Sequence, residues 1–496
     1  MTVSKTTNVS RTHGTVVLRG GRLTKWKGQA ASLSPSLGQL IASVSPVALG
    51  RALMVGASKT ATAAVLGSAG LIVTTSGASA DCTGSGGVYT CSGTMGDDDG
   101  DLNTTTTTNL LDVTVSPSTT FNVTSGDAFD LDNKVGITFT NNNPEVTIAG
   151  AVDGINALNY GDGALSITTT GTTTGGGDGI RAYNDGTSLT INAATTTGGN
   201  YGIHAYNYGD GALSITTTGT TTGTTKYGIF ASNGYELLGS VYGTSLTINA
   251  ATTTGGVNGI FADNNGTGAL SITTTGTTTG TNYDGIYANN SSAGTSLTIN
   301  AVTTTGGEDG IDAINSGTGA LNITTSGAIT GGTGYGIRAR TAANKTTNIT
   351  LNSGTVVSST AGLGIYNNEG NSITTVNSGA SVAGKIALGK GIDILVLAGG
   401  DLSGVTQFDG GGGILDILKF SGFSGSINSA RISNWESVEI NKGSTIAFSN
   451  KALTINTLGI NTGGTLNAVS GTFALTGNMS NSGTVNMADG DTGDKV

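Results

Sequence analysis

The side chains best placed for chemistry follow a Gly-Ile pair that recurs along the chain. The residues after successive pairs are Asn156, Arg181, His204, Phe230, Phe261, Tyr287, Asp312 and Arg338. An enzyme that cleaves polysaccharides would need clustered carboxylates with a basic residue on one face. Arg181 and His204 come from neighbouring repeats, yet the pattern places no acidic pair beside them. We therefore expect no catalytic activity, and we expect His204 to be solvated on the outer face of a strand.

Three consecutive members of this series, Phe230, Phe261 and Tyr287, are aromatic. They predict a short stripe of rings on the outer surface. Two interpretations remain open. The stripe could be a patch that binds a sugar or a protein, or the rings could simply stack on one another between repeats.

Two acidic segments could bind Ca²⁺, and no other cofactor is expected. The run Asp97-Asp98-Asp99-Gly100-Asp101 clusters carboxylates, which suit a hard cation, but it lacks the spacing and closing Glu of an EF-hand. An exposed acidic turn is the simpler interpretation. The segment GKGIDILVL at 389–397 partly matches a calcium-binding nonapeptide, and Asp393 and Asp416 have similar glycine-rich surroundings. Tandem nonapeptides are absent.

The two cysteines, Cys82 and Cys91, lie close together. In an oxidising compartment they can form one small disulfide loop that staples the first coil. Without a partner His or further Cys they make a poor zinc site. Phosphate-binding glycine motifs and a Ser-His-Asp grouping are not found in the sequence.

A repeat near 25 residues must position all these side chains, and such a period is typical of a solenoid. The Ile of the Gly-Ile pair recurs at positions 155, 180, 203, 229, 260, 286, 311, 337 and 365. One longer interval contains the extra segment 235–242, which we interpret as a loop insertion. We predict a right-handed parallel β-helix of about 17 coils, spaced about 4.8 Å apart.

Alternation within each repeat assigns the faces of the strands. Leu165 and Ile167 should point inward, whereas Ser166 and Thr168 should point outward. One Asn per repeat falls where a strand gives way to a turn, which predicts a stacked ladder at the corner; its members are Asn159, Asn184, Asn207, Asn233, Asn264, Asn290 and Asn315. The outward Ser and Thr array also suggests an ice-binding face, but Asn192 interrupts it and Thr simply suits strands.

Charge is unevenly distributed along the chain. Residues 1–80 hold eight of the 21 basic residues and none of the 31 acidic ones. The remainder carries a net charge of about −18 and should not bind nucleic acid, which requires Lys and Arg at the phosphates. Glycine is abundant, at 84 of 496 residues, but without the Gly-X-Y period of collagen.

Residues 51–80 have the pattern of a cleavable signal peptide. Arg51 and Lys59 precede a small, apolar stretch, and Ala78-Ser79-Ala80 fits signal peptidase, so we expect cleavage before Asp81. Residues 1–50 form an N-terminal extension unless the true start is Met54. The expected partners of this segment are the Sec export machinery and signal peptidase.

Several segments of the chain resemble the passengers of autotransporter (type V secretion) proteins, in particular the Gly/Thr/Asn-rich alphaproteobacterial type. They are GGVYTCSGT at 86–94, GGGGILDILKFSG at 410–422, ISNWESVEINKGSTIAF at 432–448 and the strands of 466–496. The resemblance implies export and display at, or release from, the outer surface of a Gram-negative bacterium.

Complete autotransporters end in an outer-membrane β-barrel translocator of alternating strands. Segment 466–496 does not have that pattern, so we expect the translocator to be absent from this chain. Four regions follow. They are the extension and signal at 1–80, an N-terminal cap and first coils at 81–152, the regular β-helix at 153–384, and C-terminal coils leading toward an autochaperone region at 385–496.

These observations predict an exported, non-enzymatic surface protein that acts in adhesion or as a surface coat, with a host-cell or matrix surface as its ligand. The alternative is a polysaccharide-acting β-helix lyase or hydrolase. A third, weaker alternative is an ice-binding solenoid. Carboxylates and a basic residue converging in one groove would favour the enzyme, whereas a smooth Thr and Asn surface would favour the surface protein.

Overall fold

The computed structural model describes residues 81–95, 101–103, 109–117, 120–237, 240–449, 452–469 and 474–488. They form an all-β solenoid of about 15 turns, in which coils of about 25 residues stack through parallel strands. The predicted parallel β-helix is therefore confirmed, with somewhat fewer turns than expected. Segment 1–80, with the predicted signal peptide and Met54, lies outside the described residues.

Each regular coil contributes three strands to the solenoid. In one coil these are Ile203–Asn207, Leu213–Thr217 and Thr221–Gly223. Alternate side chains turn inward, so Ile203 and Ala205 are fully buried, while His204 and Tyr206 lie on the outer face. The alternation of apolar and polar residues in the sequence produces this two-faced strand.

The first strand of each coil joins a 14-stranded parallel sheet, called sheet 1 below. Its strands are Asp101–Asn103, Phe129–Asn133, Ile155–Asn159, Ile180–Asn184, Ile203–Asn207, Ile229–Asn233, Ile260–Asn264, Ile286–Asn290, Ile311–Asn315, Tyr335–Thr341, Leu363–Asn367, Gly384–Leu388, Val405–Asp409 and Ile432–Ser433. The pairing is in register, so equivalent residues of neighbouring coils lie side by side.

The other two strands of each coil join a 28-stranded sheet, called sheet 2. The strands of its first column are Asp81–Ser85, Val88–Ser92, Leu111–Val115, Ile137–Asn141, Leu165–Gly175, Leu189–Gly198, Leu213–Thr217, Leu246–Ala250, Leu270–Thr274, Leu297–Ala301, Leu321–Thr325, Thr346–Leu351, Asn371–Asn377, Asp393–Ala398, Ile417–Phe420, Ser437–Ile440, Ala452–Ile460 and Ala474–Asn481. Those of its second column are Thr94–Met95, Thr120–Asn122, Thr147–Gly150, Thr221–Gly223, Thr253–Gly255, Thr277–Gly280, Thr303–Gly306, Ala328–Gly331, Val356–Ser359 and Ser381–Val382. The long strands Leu165–Gly175 and Leu189–Gly198 belong to both columns.

The remaining elements are small. A four-stranded parallel sheet in the C-terminal coils contains Ser424–Ile427, Thr445–Phe448, Thr465–Val469 and Thr484–Ala488. The predicted insertion holds a two-stranded antiparallel pair, Glu236–Leu237 and Ser240–Val241. Within the described part of the chain, helix is limited to one 3-10 turn at Ser429–Arg431. Among these residues no helix is long and apolar enough to span a membrane.

The predicted corner ladder of asparagines is confirmed. The Asn184 side-chain nitrogen donates to the Asn207 oxygen at 2.7 Å, and Asn207 donates to Asn233 at 2.9 Å. The amides are fully buried, so each depends on its neighbour for a hydrogen bond. From Asn159 to Asn315, the ladder therefore couples each coil to the next at this corner.

The glycine of each Gly-Ile pair allows a close approach between strands. A Cβ atom on Gly179 would lie 2.5 Å from the Thr196 methyl carbon and 2.6 Å from the carbonyl oxygen of Gly202. Equivalent glycines in other coils meet the equivalent Thr, as Gly202 meets Thr221. The Gly-Ile repeat thus follows from packing between the first and third strands of the coils.

The N-terminal end of the described solenoid is an antiparallel hairpin. Strands Asp81–Ser85 and Val88–Ser92 pair with each other, and the second also pairs in parallel with Leu111–Val115. The predicted disulfide between Cys82 and Cys91 is confirmed and links the two strands. Because Cys91 is fully buried against the core, the bridge anchors the hairpin to the first coil.

Candidate binding surface

The outer face of sheet 1 carries three columns of side chains, each with one member per coil. The middle column follows the Gly-Ile pairs and includes Asp130, Asn156, Arg181, His204, Phe230, Phe261, Tyr287, Asp312 and Arg338. The outer column lies two residues further on and includes Asp132, Leu158, Tyr183, Tyr206, Ser232, Asp263, Asn289, Ile314 and Arg340. The corner column precedes each Gly-Ile pair and includes Asp153, Asp178, Tyr201, Tyr227, Asn258, Asp284, Asp309 and Tyr335.

The predicted aromatic stripe is present in the middle column. The rings of Phe230 and Phe261 stack with centroids 4.9 Å apart and planes 2° from parallel. Tyr287 stacks on Phe261 at the same distance, with planes 13° apart. All three rings are half-buried. Stacking between coils, one of the two interpretations, is therefore confirmed, and the rings still form part of the solvent-facing surface.

The stripe is only part of a larger group of rings that spans all three columns. Tyr183 stacks on Tyr206 with centroids 4.8 Å apart, and Tyr227 lies 5.5 Å from Phe230. We call the whole group the aromatic strip; its members are Tyr183, Tyr201, His204, Tyr206, Tyr227, Phe230, Phe261 and Tyr287. Five successive coils contribute to it. The sequence contained the signal for the additional tyrosines, because Tyr183 and Tyr206 lie two residues after the middle column and Tyr201 and Tyr227 lie three residues before it.

The structure contradicts two expectations about His204. Its Nδ1 atom lies 2.8 Å from a carboxylate oxygen of Asp178, and its ring stacks on Tyr201 with centroids 4.0 Å apart. The side chain is only 12% exposed, and its Nε2 atom is buried without a hydrogen-bond partner. His204 is therefore not solvated, and acidic residues do stand beside it. Asp178 was missed because it comes from the corner of the preceding coil, 26 residues earlier.

Asp178 and Asp153 form a short acidic ladder at the N-terminal end of the aromatic strip. The Asp178 backbone N–H donates to the carboxylate of Asp153 at 2.7 Å. Burial is the main cause that raises the pKa of Asp153 to about 6. Burial, and then the charge of Asp130, raises the pKa of Asp132 to about 6 as well. Arg181 extends over the ring of Tyr183 and lies beside this acidic group.

A second group of acidic residues lies at the C-terminal end of the strip. Burial, and then the charge of Asp312, raises the pKa of Asp284 to about 7. Asp284 accepts hydrogen bonds from the Asn258 side chain at 3.2 Å and from a backbone N–H of the next coil. Asp312 pairs with the guanidinium group of Arg340, whose Nε donates at 3.1 Å. The strip therefore has an apolar centre and two largely acidic ends.

Carboxylates and basic groups thus share one face. Two well-defined cavities lie elsewhere among the described residues. One, of about 620 Å³, lies around Trp435, Glu436 and Asn456, and the other, of about 290 Å³, lies around Asp401, Phe423 and Arg431. No residue of the aromatic strip lines either cavity. The residues of the strip lie along a sheet face, which offers a surface for contact with an extended partner.

The two segments that were expected to bind Ca²⁺ differ in what the structure shows of them. Residues 97–100 of the acidic run lie outside the described residues, and Asp101 begins a strand of sheet 1. Within the described ranges, no group of three or more His, Cys, Asp or Glu side chains is arranged to hold a metal ion. Asp393 and Asp416 are both fully buried, so they do not form the exposed loop that a nonapeptide match would suggest.

The outward Ser and Thr array of sheet 2 alternates as the sequence indicates. Ser166 pairs with Thr190, and Thr168 pairs with Asn192. The next coil restores Ser214 beside Thr190. The array is therefore regular over two coils rather than over each one. Its relation to ice binding stays a prediction.

Comparison with known proteins gives no family assignment. No protein-family model matches the chain, and no significant match is found among curated proteins or solved structures.

Proposed function

We propose that this protein is an exported, non-enzymatic surface protein that binds another protein through the aromatic strip, in adhesion or as part of a surface coat. The observation that carries the proposal is the continuous group of half-buried rings over five coils, centred on Phe230 and Phe261. Contiguous apolar surface on a soluble protein commonly marks an interaction site. Aromatic side chains are also enriched at protein interfaces.

Charge indicates what kind of partner fits this face. The half-buried Asp130 and Asp132 lie at one end of the strip, and the half-buried Asp263 lies near the other. A host-cell or matrix protein that carries basic groups on both sides of an apolar segment is complementary to this arrangement. Nucleic acid, which is acidic throughout, is not.

The route to the surface is proposed from the sequence. Sec-dependent export, cleavage before Asp81 and display at the outer membrane, or release outside the cell, agree with the signal pattern at 51–80 and with the autotransporter resemblance. A disulfide at Cys82 and Cys91 is compatible with an oxidising compartment outside the cytoplasm.

The test is binding of the purified protein to host-cell monolayers and to immobilised matrix proteins. A double variant, Phe230→Ser with Phe261→Ser, should lose at least ten-fold in affinity, because truncated central aromatic contacts commonly cost more than 1.4 kcal/mol. Thr190→Ala with Thr247→Ala, on the outward face of sheet 2, is the matched control and should bind normally. Circular dichroism checks that every variant is folded. Equal binding by both double variants would refute the role of the strip.

A second candidate function is polysaccharide cleavage, and one observation favours it. His204 and Asp178 form a hydrogen-bonded pair on the same face as Arg181 and Asp153. A base positioned by a carboxylate is a recurring component of acid–base catalysis. Reducing-end release from a panel of acidic and neutral polysaccharides tests this function. Activity that disappears in His204→Gln would establish the enzyme in place of the binding protein.

A further inference from the structure

One column of outward side chains on sheet 2 changes its chemistry along the chain. In the eight coils from Ser166 to Asn348, every member of the column is Ser, Thr or Asn. The register continues the column through Ile373, Ile394 and Ile417, and the next coil restores a polar residue. Three successive coils therefore replace the polar outer face with an apolar one.

Residues at the neighbouring turns enlarge this apolar area. In the coils of Ile394 and Ile417, the residue two positions earlier is also apolar and exposed, and alternation places it on the same outer side. Ile414, in the turn before Ile417, is 79% exposed. Single exposed apolar residues are normal, but contiguous exposed apolar surface marks an interaction site. We call the group the apolar patch; its members are Ile373, Ile392, Ile394, Ile414, Leu415 and Ile417.

Two ion pairs flank the apolar patch. The Nζ atom of Lys390 lies 3.2 Å from a carboxylate oxygen of Glu369, and the Nζ atom of Lys419 lies 3.6 Å from a carboxylate oxygen of Glu439. Each pair joins two successive coils and adds no net charge. Residues 81–496 carry a net charge of about −18, so most of the surface repels a second copy of the chain. At the apolar patch, where the flanking charges balance, this repulsion is weakest.

The order of the flanking charges suits a second copy of this chain. Two copies can meet patch to patch about a two-fold axis that runs parallel to the strands, between the coils of Ile373 and Ile394. This axis reverses the order of the coils, so Glu369 faces the partner's Lys390, and Lys390 faces the partner's Glu369. Such reciprocity defines an isologous interface. Sheets that pack face to face also keep their strands nearly aligned, as this axis requires.

We propose that the apolar patch is the interface of a symmetric dimer of this chain. The patch lies on sheet 2 of the C-terminal coils, whereas the aromatic strip lies on sheet 1 of the central coils. Dimerisation therefore leaves the aromatic strip free and does not depend on the binding function proposed above. It places two aromatic strips on one particle, which binds a surface with repeated sites more tightly than a monomer does.

Sedimentation velocity of the purified protein over a series of concentrations tests the proposal. We expect a reversible monomer–dimer equilibrium with a dissociation constant on the order of 10⁻⁶–10⁻⁵ M. The variant that combines Ile373→Thr, Ile394→Thr and Ile417→Thr restores the polar residue type of the earlier coils, so the solenoid should still form. Its dissociation constant should be at least about ten-fold higher, because central apolar contacts dominate interface energies. Val152→Thr replaces an exposed apolar residue outside the patch and should dimerise normally.

Two charge-reversal variants test the two-fold arrangement itself. Glu369→Lys and Lys390→Glu should each weaken self-association, because like charges then face each other across the axis. An equimolar mixture of the two variants should form heterodimers more readily than either variant forms homodimers. Circular dichroism checks that each variant is folded.

Two results would overturn the proposal. If the folded wild-type protein stays monomeric at about 100 μM, the apolar patch is not a dimer interface, and its binding to lipid vesicles or to another protein would then identify the occupant. If the mixture of charge-reversal variants associates no better than each variant alone, Glu369 and Lys390 do not face each other and the two-fold arrangement is wrong.

Discussion

The Nδ1 atom of His204 lies 2.8 Å from a carboxylate oxygen of Asp178, which belongs to the preceding coil. The two side chains are mostly buried, and the ring of Tyr201 stacks on the imidazole. This contact joins the acidic corner column to the aromatic strip. It therefore links the stacking of the coils to the geometry of the proposed binding surface.

Replacement of His204 should destabilise the solenoid. His204→Ala removes the ring stacked on Tyr201 and leaves the Asp178 carboxylate without this partner, which we expect to cost about 2–4 kcal/mol in the free energy of unfolding. Urea denaturation followed by circular dichroism measures the loss. A double-mutant cycle with Asp178→Ala separates the pair from other contacts. Fully additive effects would mean that the two side chains do not interact.

Because of Asp284, the free energy of unfolding should be larger in mild acid than in base. The folded-state pKa of Asp284 is raised from 3.8 to about 7, mainly by burial, so the folded state favours the protonated form. The corresponding stability is fully present below the unfolded pKa and is lost as the pH rises through about 7. The contribution is on the order of 2–4 kcal/mol. Thermal unfolding at about pH 5 and about pH 8 measures it.

Asp284→Asn isolates this effect from that of the other buried aspartates. Asn258 occupies the same corner position in the preceding coil, so an amide fits there. The variant should gain stability near pH 8 and show a weaker dependence on pH than the wild type. Asp210→Asn replaces an exposed aspartate and should leave the pH profile unchanged. If Asp284→Asn has the same pH profile as the wild type, the carboxyl does not titrate in this range.

The fold could be predicted from the sequence, because the repeat length and the alternation of apolar and polar residues along the strands determine it together. Leu165 and Ile167 turn inward as their alternation with polar residues predicts, and the coil period brings equivalent Asn residues such as Asn184 and Asn207 into one ladder. In-register stacking leaves little freedom once the period is known. Fewer turns form than predicted, because residues 81–92 pair as an antiparallel hairpin and segment 235–242 lengthens one coil.

The candidate surface could be predicted only in part. Phe230, Phe261 and Tyr287 lie on a strand, where alternation decides which way each side chain points. Asp178 lies at a corner, where the turn interrupts the alternation, so its contact with His204 could not be deduced. The burial of Asp393 depends on the register between coils of different length, which periodicity alone does not supply.

Gly179→Ala should destabilise the central coils strongly. The added methyl would lie 2.5 Å from the Thr196 methyl carbon and 2.6 Å from the carbonyl oxygen of Gly202, so the coils must separate locally. We expect a loss of about 1–3 kcal/mol in the free energy of unfolding, the size found when a packed core is overfilled and the backbone must shift. Gly412→Ala is the control, because its nearest neighbour would be 3.8 Å away. Equal melting temperatures for both variants would contradict the packing argument.

Loss of the disulfide should loosen the first coil and leave the central coils intact. The bridge between Cys82 and Cys91 spans nine positions in sequence, and closing a loop of that size stabilises a protein by about 2–3 kcal/mol. In a solenoid each coil contacts only its neighbours, so the effect should remain local. Hydrogen exchange of a Cys82→Ser, Cys91→Ser double variant should show faster exchange in Val88–Ser92 and unchanged protection in Ile203–Asn207. Faster exchange throughout the solenoid would show instead that the hairpin stabilises the whole stack.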